Sequence, residues 1–285
     1  MQLIHLDRVY RFLGDVRLDN AVTLHEVKRL PPNRLGWLAI VFDLLGGIEF
    51  IFTLPGFWVP FVHWLWRIPT ILVSAGSVSR ELEDQTWNTL RATTLTVREI
   101  IMAKFAAIIR YMEPHFMLVI YVRSMPVIIF GVSWVVSTLT VLPARGFEYW
   151  VSTSLAFLAA GGYLVVSPVL DVAFDGALGL LVSTFNARRS TALIVAVLIR
   201  LVGFLIPMML IVPLSYGLFD SLGRLDVIRL RAIAVMSTFG PSYAFLWGIE
   251  RWLSIAIVVV YTLVRLGAIR LMLRLAVDRA EKIEV

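Results

Sequence analysis

Long apolar stretches alternate with short polar ones along most of the chain, and this pattern predicts membrane-spanning helices. A helix needs about 20 mostly apolar residues to cross the hydrocarbon core of a bilayer. Six stretches are of about this length, at residues 37–54, 57–77, 104–131, 150–185, 190–216 and 243–272. The expected fold is an all-α integral membrane protein of about six transmembrane helices. An amphipathic segment over 1–36 precedes the transmembrane domain over 37–272, and a tail over 273–285 follows it.

Two of these stretches are irregular. The stretch 150–185 is longer than one span needs and contains Pro168, so we expect either a kinked helix or two segments. Glu113 and Pro114 interrupt the start of the third span. Residues 104–113 are therefore expected either to belong to that span or to lie in the interface as an amphipathic segment. Six and seven spans are both compatible with the pattern.

Basic residues are distributed unevenly between the two sides of the predicted membrane domain. With both termini in the cytoplasm, the cytoplasmic segments hold fifteen Lys and Arg residues and the external loops hold four. This is the asymmetry of the positive-inside rule. The first 35 residues mix charged and apolar positions and lack the apolar core of a signal peptide. We expect a multi-pass protein of the cell membrane (inner or plasma), with cytoplasmic N- and C-termini.

Composition agrees with this prediction and excludes several function classes. Hydrophobic residues make up 59% of the 285 residues and charged residues 16%, and the mean hydropathy is +0.83. Without cysteine there are no disulfides and no thiol catalysis, and the four histidines show no metal-ligand spacing. Neither a metal nor another cofactor is expected. The net charge of +6 comes from arginines at span ends, which favours membrane lipid over nucleic acid as a partner.

The polar segment 77–104, between the second and third spans, has a helical pattern of its own. Four of its positions recur at three- and four-residue spacing: Leu82, Thr86, Leu90 and Thr93. Thr96 and Glu99 have the spacing of a capping box, in which each residue caps the other's backbone at a helix start. The segment is therefore expected to form a short cytoplasmic helix, a turn and the start of a new helix, although an ordinary solvated loop is the alternative.

The order of residues in this segment resembles the coupling helix of type-2 ABC transporter permeases, the membrane-spanning subunits of one class of exporter. The positions that match in register are Glu81, Thr86, Leu90, Thr93, Leu95, Glu99, Ile100 and Lys104. Three positions depart from the family pattern, where Gln85 and Ala103 replace Gly and Thr94 replaces Pro. Two further stretches resemble family segments: 176–192 is similar to the junction of the fourth and fifth spans, and 19–27 to an "Asn-Pro…Glu" opening.

This resemblance implies a six-span permease that forms a homodimer or pairs with a similar permease. A separate ATP-binding subunit would dock on the coupling helix at about 78–98. The resemblance assigns ATPase coupling to Glu81, Thr86, Leu90, Glu99 and Lys104. The chain itself is not expected to be an enzyme. A Walker A loop needs Gly immediately before its Lys, and the three lysines follow Val27, Ala103 and Glu281.

Several ionisable residues lie inside the predicted spans, where an isolated charge is costly. The first two spans meet at a tight turn, Pro55-Gly56, which places residues at similar distances from the turn at similar depths. On this basis Glu49 is expected to pair with His63, and Asp43 with Arg67. These pairs would either hold the hairpin together or belong to a proton or substrate pathway.

Asp171 and Asp175 stand four residues apart and are therefore expected on one helix face. Two carboxylates on one face are a candidate cation or proton site, or else a pair at a hydrated helix end.

A second function fits the sequence as well. A permease-derived subunit that no longer transports, and instead packs as an accessory or scaffold in a larger membrane complex, would explain the lost Gly and Pro positions. An intramembrane enzyme is the weakest alternative, because the sequence contains no nucleophile–base pair or metal motif.

Overall fold

The computed structural model describes residues 21–30, 67–93, 95–215 and 251–283, and the regular elements in these ranges are all α-helices. They are α1 Ala21–Arg29, α2 Ile68–Ala75, α3 Ser79–Glu83, α4 Trp87–Arg91, α5 Val97–Phe185, α6 Arg189–Ser215 and α7 Arg251–Glu281. The predicted all-α class is therefore confirmed for this part of the chain. The predicted first span, 37–54, lies outside the described residues.

Helix α5 is a helical hairpin rather than one straight rod. Its backbone leaves the helical conformation at Gly146, where φ is 80° and ψ is 164°, a left-handed φ that glycine adopts without steric cost. The two limbs run back along each other, since Gly161 lies against Val127 and Gly176 lies against Phe105. We call residues 97–145 the first limb and Gly146–Phe185 the second limb.

Among the described residues, two helices are long and apolar enough to cross a membrane: the second limb of α5, with 40 residues, and Trp252–Glu281 of α7, with 30 residues. They overlap the predicted spans 150–185 and 243–272. The apolar stretch of the second limb is mostly buried, whereas that of α7 is mostly exposed. Large side chains such as Val260, Leu263 and Val264 of α7 are about 60% exposed. An apolar surface of this kind is typical of contact with lipid or with another protein.

The second limb passes Pro168 as one continuous helix. Within α5, the backbone departs from helical φ and ψ values only at Gly146. Because proline lacks an N–H, the Leu164 carbonyl one turn earlier loses its usual helical partner. The Ser167 hydroxyl donates to that carbonyl at 3.0 Å and so compensates for the missing bond. The alternative of two separate segments over 150–185 is therefore wrong for the described structure.

Residues 104–113 are also part of a continuous helix, at the start of the first limb. Phe105, Ala106, Ile108 and Ile109 are at most 1% exposed. They pack in the main core together with residues of α4, the second limb and α7. Residues 104–113 are therefore part of the first limb and pack mostly in the protein core, and their depth in the membrane stays a prediction.

Helix α2 packs against the end of the second limb with very little space between the two backbones. Ser74 of α2 faces Gly179, and its hydroxyl approaches the Asp175 carbonyl at 3.3 Å. Ile71 and Ala75 of α2 form a small second core with Val182 of α5 and Ala196 of α6. This packing positions the residue before α2, Arg67, beside the second limb.

Candidate functional site

The segment that resembles a coupling helix folds as two short helices, α3 and α4, followed by the start of α5. The predicted capping box is present at that start. The Thr96 hydroxyl accepts a hydrogen bond from the Glu99 N–H at 3.2 Å, and the Glu99 carboxylate accepts one from the Thr96 N–H at 2.8 Å. The predicted helix start at Thr96 is confirmed, whereas two short helices stand where the spacing predicted one.

The turn between α3 and α4 has a left-handed residue. Gln85 has φ of 57°, and it is the one non-glycine residue with positive φ among those described. Glycine would adopt this conformation without strain, whereas another L-residue in the left-handed region loses roughly 1–2 kcal/mol. Gln85 is also a position where the family pattern has Gly. The turn is therefore formed despite the substitution.

Five polar residues meet between α1, the short helices and the start of α5, and we call them the Glu81 network: Glu26, Arg29, Glu81, Thr86 and Lys104. The Glu81 carboxylate lies 3.0 Å from Arg29 Nη1 and 3.3 Å from Lys104 Nζ. Lys104 Nζ also lies 3.3 Å from Glu26 Oε1. The Thr86 hydroxyl donates to the second oxygen of Glu81. The network thus joins α1, α3, α4 and the first limb of α5.

The four charges of the Glu81 network balance, with two carboxylates and two cations. The side chains of Glu81 and Lys104 are each 2% exposed. Burial alone would raise the pKa of Glu81, but Lys104, Thr86 and Arg29 together hold this pKa below its ordinary value of 4.5. The carboxylate is therefore ionised at neutral pH and anchors α1 to the segment that contains α3 and α4.

The structure separates the residues that the resemblance assigned to ATPase coupling. Glu81, Thr86 and Lys104 meet inside the chain, and Leu90 is half-buried against the main core. Glu99 is exposed and caps α5. The exposed residues of α3, α4 and the turn between them are Glu83, Asp84, Gln85, Asn88, Thr89 and Arg91. The coupling role of Glu81, Thr86, Leu90, Glu99 and Lys104 stays a prediction.

Replacing Glu81 with Gln is expected to loosen α1. The amide keeps the shape of the carboxylate but removes its charge from Arg29 and Lys104, which should cost about 1.5–3 kcal/mol. Amide hydrogen exchange over residues 21–29 should become faster. Because the pKa of Glu81 is lowered, its contribution is complete above pH 4.5 and is lost as the pH falls through the lowered value.

In wild type, protection of α1 should therefore decrease on acidification below about pH 4.5, and in Glu81→Gln it should change much less. Asp84→Asn, which alters an exposed carboxylate next to the same turn, is the matched control. Equal exchange in wild type and Glu81→Gln would show that the ion pairs do not hold α1.

A second group of charged side chains lies deeper, and we call it the Arg–Asp cluster: Arg67, Asp171, Asp175, Arg200 and Arg265. Arg67 Nε donates to Asp175 Oδ2 at 2.6 Å, and Arg67 Nη1 lies 3.3 Å from Asp171 Oδ1. Arg200 Nε lies 3.1 Å from Asp175 Oδ1. Arg265 pairs with Asp171 through Nη2 and donates to the Tyr163 hydroxyl at 3.2 Å through Nη1.

The cluster joins the start of α2, the second limb of α5, α6 and α7. Asp171 and Asp175 are 1% and 0% exposed and both contact Arg67, which agrees with the single helix face that their four-residue spacing predicted. They lie fourteen and ten residues before Phe185, or about 21 and 15 Å along the helix. The carboxylates are therefore buried well inside the second limb and do not lie at a hydrated helix end, so that alternative is wrong.

Of the predicted hairpin pairs, only Arg67 lies within the described residues, where its ion pairs are with Asp171 and Asp175. Asp43, Glu49 and His63 lie outside the described residues, and their pairing stays a prediction. The cation or proton role of Asp171 and Asp175 also stays a prediction. Three arginines against two carboxylates leave no excess negative charge in the described surroundings for a cation.

Sequence reasoning missed Arg200 and Arg265, as well as Glu26 and Arg29 as partners of Glu81. A signal was present for the first two, because each is an arginine inside a predicted span, at 190–216 and 243–272. A buried arginine requires an anionic partner. The sequence does not indicate which carboxylate, since the partners lie on other helices.

Within the described residues, no group of three or more His, Cys, Asp and Glu side chains is arranged to hold a metal ion. Comparison with protein-family models, with curated proteins and with solved structures found no match to this chain.

Proposed function

We propose that this chain is the membrane-spanning permease subunit of an ABC-type exporter, with about six spans, cytoplasmic termini and a separate ATP-binding subunit as its motor. The observation that carries the proposal is the fold of residues 79–91, which contain α3 and α4. This segment is a folded, polar-surfaced unit of two short helices, and buried ion pairs attach it to helices that continue into the apolar core.

The attachment is suited to transmitting movement. On one side, Lys104 of the first limb holds Glu81 of α3. On the other side, the Ser183 hydroxyl of the second limb accepts hydrogen bonds from the Val78 and Ser79 N–H groups, at 2.9 and 2.8 Å. A partner that displaced α3 and α4 would therefore displace both limbs of α5.

The exposed face of the segment offers a partner both charges and uncharged polar groups. Thr89 and Asn88 are exposed near its middle. Interfaces of this kind gain specificity from complementary charge and are disrupted by a bulky side chain at their centre.

The proposal is tested by isolating the tagged chain from its native membrane in mild detergent and identifying the proteins that accompany it. We expect an ATP-binding chain in near-stoichiometric amount, and ATPase activity in the preparation. Thr89→Trp should reduce recovery of the ATPase at least tenfold. Thr191→Trp, which alters an exposed threonine on α6 outside the segment, should not. Isolation of the chain without any ATPase would contradict the proposal.

A second candidate is a permease-derived, non-transporting accessory or scaffold subunit of a larger membrane complex. The Arg–Asp cluster favours it, because ion pairs that join four segments inside the apolar core resist relative motion of those segments. In the same isolation experiment this candidate predicts non-ATPase membrane partners and no ATPase activity.

A further inference from the structure

The Arg–Asp cluster carries an excess of positive charge. It contains three guanidinium groups and two carboxylates, and arginine does not lose its proton in proteins. The described cluster therefore has a net charge of +1. The Glu81 network of the same chain is balanced, so an excess is not a general feature of its buried charges.

One N–H group of the described cluster, on Arg67, is free to donate a hydrogen bond. Arg67 uses Nε on Asp175 and Nη1 toward Asp171. Its third nitrogen, Nη2, has no hydrogen-bond partner among the described residues. This nitrogen is buried, and the whole side chain is only 5% exposed. A buried charged donor without an acceptor is costly, so such groups usually meet a ligand, a water or another part of the protein.

Arg200 supplies a second cation on a more accessible side. Its side chain is 16% exposed, more than the other four members of the cluster. The Phe174 ring lies between two arginines, 6.0 Å from the Arg200 guanidinium and 5.4 Å from that of Arg265. Stacking on an aromatic ring restricts a guanidinium without using its donors. Arg200 is thus held in place with donors remaining.

We infer that Arg67 and Arg200 form a binding site for an oxyanion, such as a carboxylate, phosphate or sulfonate group. Planar guanidinium groups bind such groups through paired N–H donors. One monoanion would neutralise the cluster. The oxyanion is either the headgroup of an anionic lipid or a free anion. Binding does not require the proposed transport function, but if that function holds, the site specifies anionic substrates.

The test is thermal unfolding of the purified chain in dodecyl maltoside micelles, followed by tryptophan fluorescence. One arm adds phosphatidylglycerol, a second adds the same amount of phosphatidylcholine, and a third adds inorganic phosphate against sodium chloride of equal ionic strength. We expect one anionic probe to raise the unfolding midpoint by several degrees. A response to phosphatidylglycerol alone identifies a lipid headgroup, and a response to phosphate identifies a free oxyanion.

Arg200→Gln should abolish this response. It should lower the midpoint of the ligand-free protein much less than Asp175→Asn does, because it leaves two arginines facing two carboxylates. Arg98→Gln, at an exposed arginine, should respond like wild type. Arg200→Lys keeps the charge without the planar donors, and should need at least tenfold more of the same probe for half of the shift.

Three results would overturn the inference: no shift of the wild type with either anionic probe, an undiminished response of Arg200→Gln, or a large loss of stability in ligand-free Arg200→Gln. The last would mean that a carboxylate of the protein itself already neutralises the third arginine. These measurements contain no ATPase, so their outcome is independent of the isolation experiment that tests the transport function.

Discussion

Replacing Asp175 with Asn is expected to lower the free energy of unfolding by about 3–5 kcal/mol, which is typical when one partner of a buried ion pair is removed. The amide preserves shape and volume, so the loss reports charge rather than packing. Asp175 is fully buried, and both Arg67 and Arg200 lie against it. Without its charge, the described cluster would hold three arginines against one carboxylate.

Denaturation of the purified chain in mixed micelles, by increasing the fraction of sodium dodecyl sulfate, measures this loss. Asp278→Asn, at an exposed position on α7, is the matched control and should change stability by less than about 0.5 kcal/mol. The double variant Asp175→Asn/Arg200→Gln restores the wild-type net charge and should recover part of the loss. A single variant as stable as wild type would mean that these ion pairs contribute no stability.

Replacing Gly179 with Ala is expected to separate α2 from the second limb of α5. A Cβ at this position would lie 1.9 Å from Ser74 Oγ, 2.7 Å from Ser74 Cβ and 2.9 Å from the Ala75 nitrogen. The Ser74 hydroxyl is itself bonded to the Thr70 carbonyl at 2.7 Å, and the Ala75 contact is with backbone. A side-chain rotation cannot relieve all three contacts, so the helices must move apart.

The cost should be about 3 kcal/mol, at the upper end of the range for overpacked sites. Gly179 lies one helical turn after Asp175, and α2 begins immediately after Arg67. Movement of α2 therefore also lengthens the ion pair between Arg67 and Asp175. The same denaturation assay measures the effect.

Gly162→Ala is the control for this substitution, on the same limb. No atom lies within 4 Å of a Cβ built at Gly162, and alanine favours a helix by roughly 1 kcal/mol over glycine. Its stability should be equal to or above that of wild type. Equal stability of both alanine variants would contradict the close approach of Gly179 to Ser74. Recovery of part of the loss when Ser74→Ala is added to Gly179→Ala would support it.

Local features of the fold were predictable because their determinants are close together in the chain. The capping box of Thr96 and Glu99 depends on a three-residue spacing and formed as predicted. The spacing of Leu82, Thr86 and Leu90 predicted one short helix, whereas the structure has two, because the chain turns at Gln85 between α3 and α4. Pro168 was ambiguous in the sequence, because a helix can pass a proline when another donor, here the Ser167 hydroxyl, bonds the freed carbonyl.

The sequence alone determined that the chain is helical and apolar enough for a membrane, that Asp171 and Asp175 share a face, and that charges lie within apolar stretches. Only the tertiary structure decided which of these charges meet. Arg67 pairs with Asp175, 108 positions away, and Arg200 and Arg265 join them from two other helices. Distance from a turn sets the depth of a residue along its helix, but its partner depends on which helices are neighbours and on how each is rotated. Those two properties arise from packing over the whole domain, such as the close approach that Gly179 permits to Ser74.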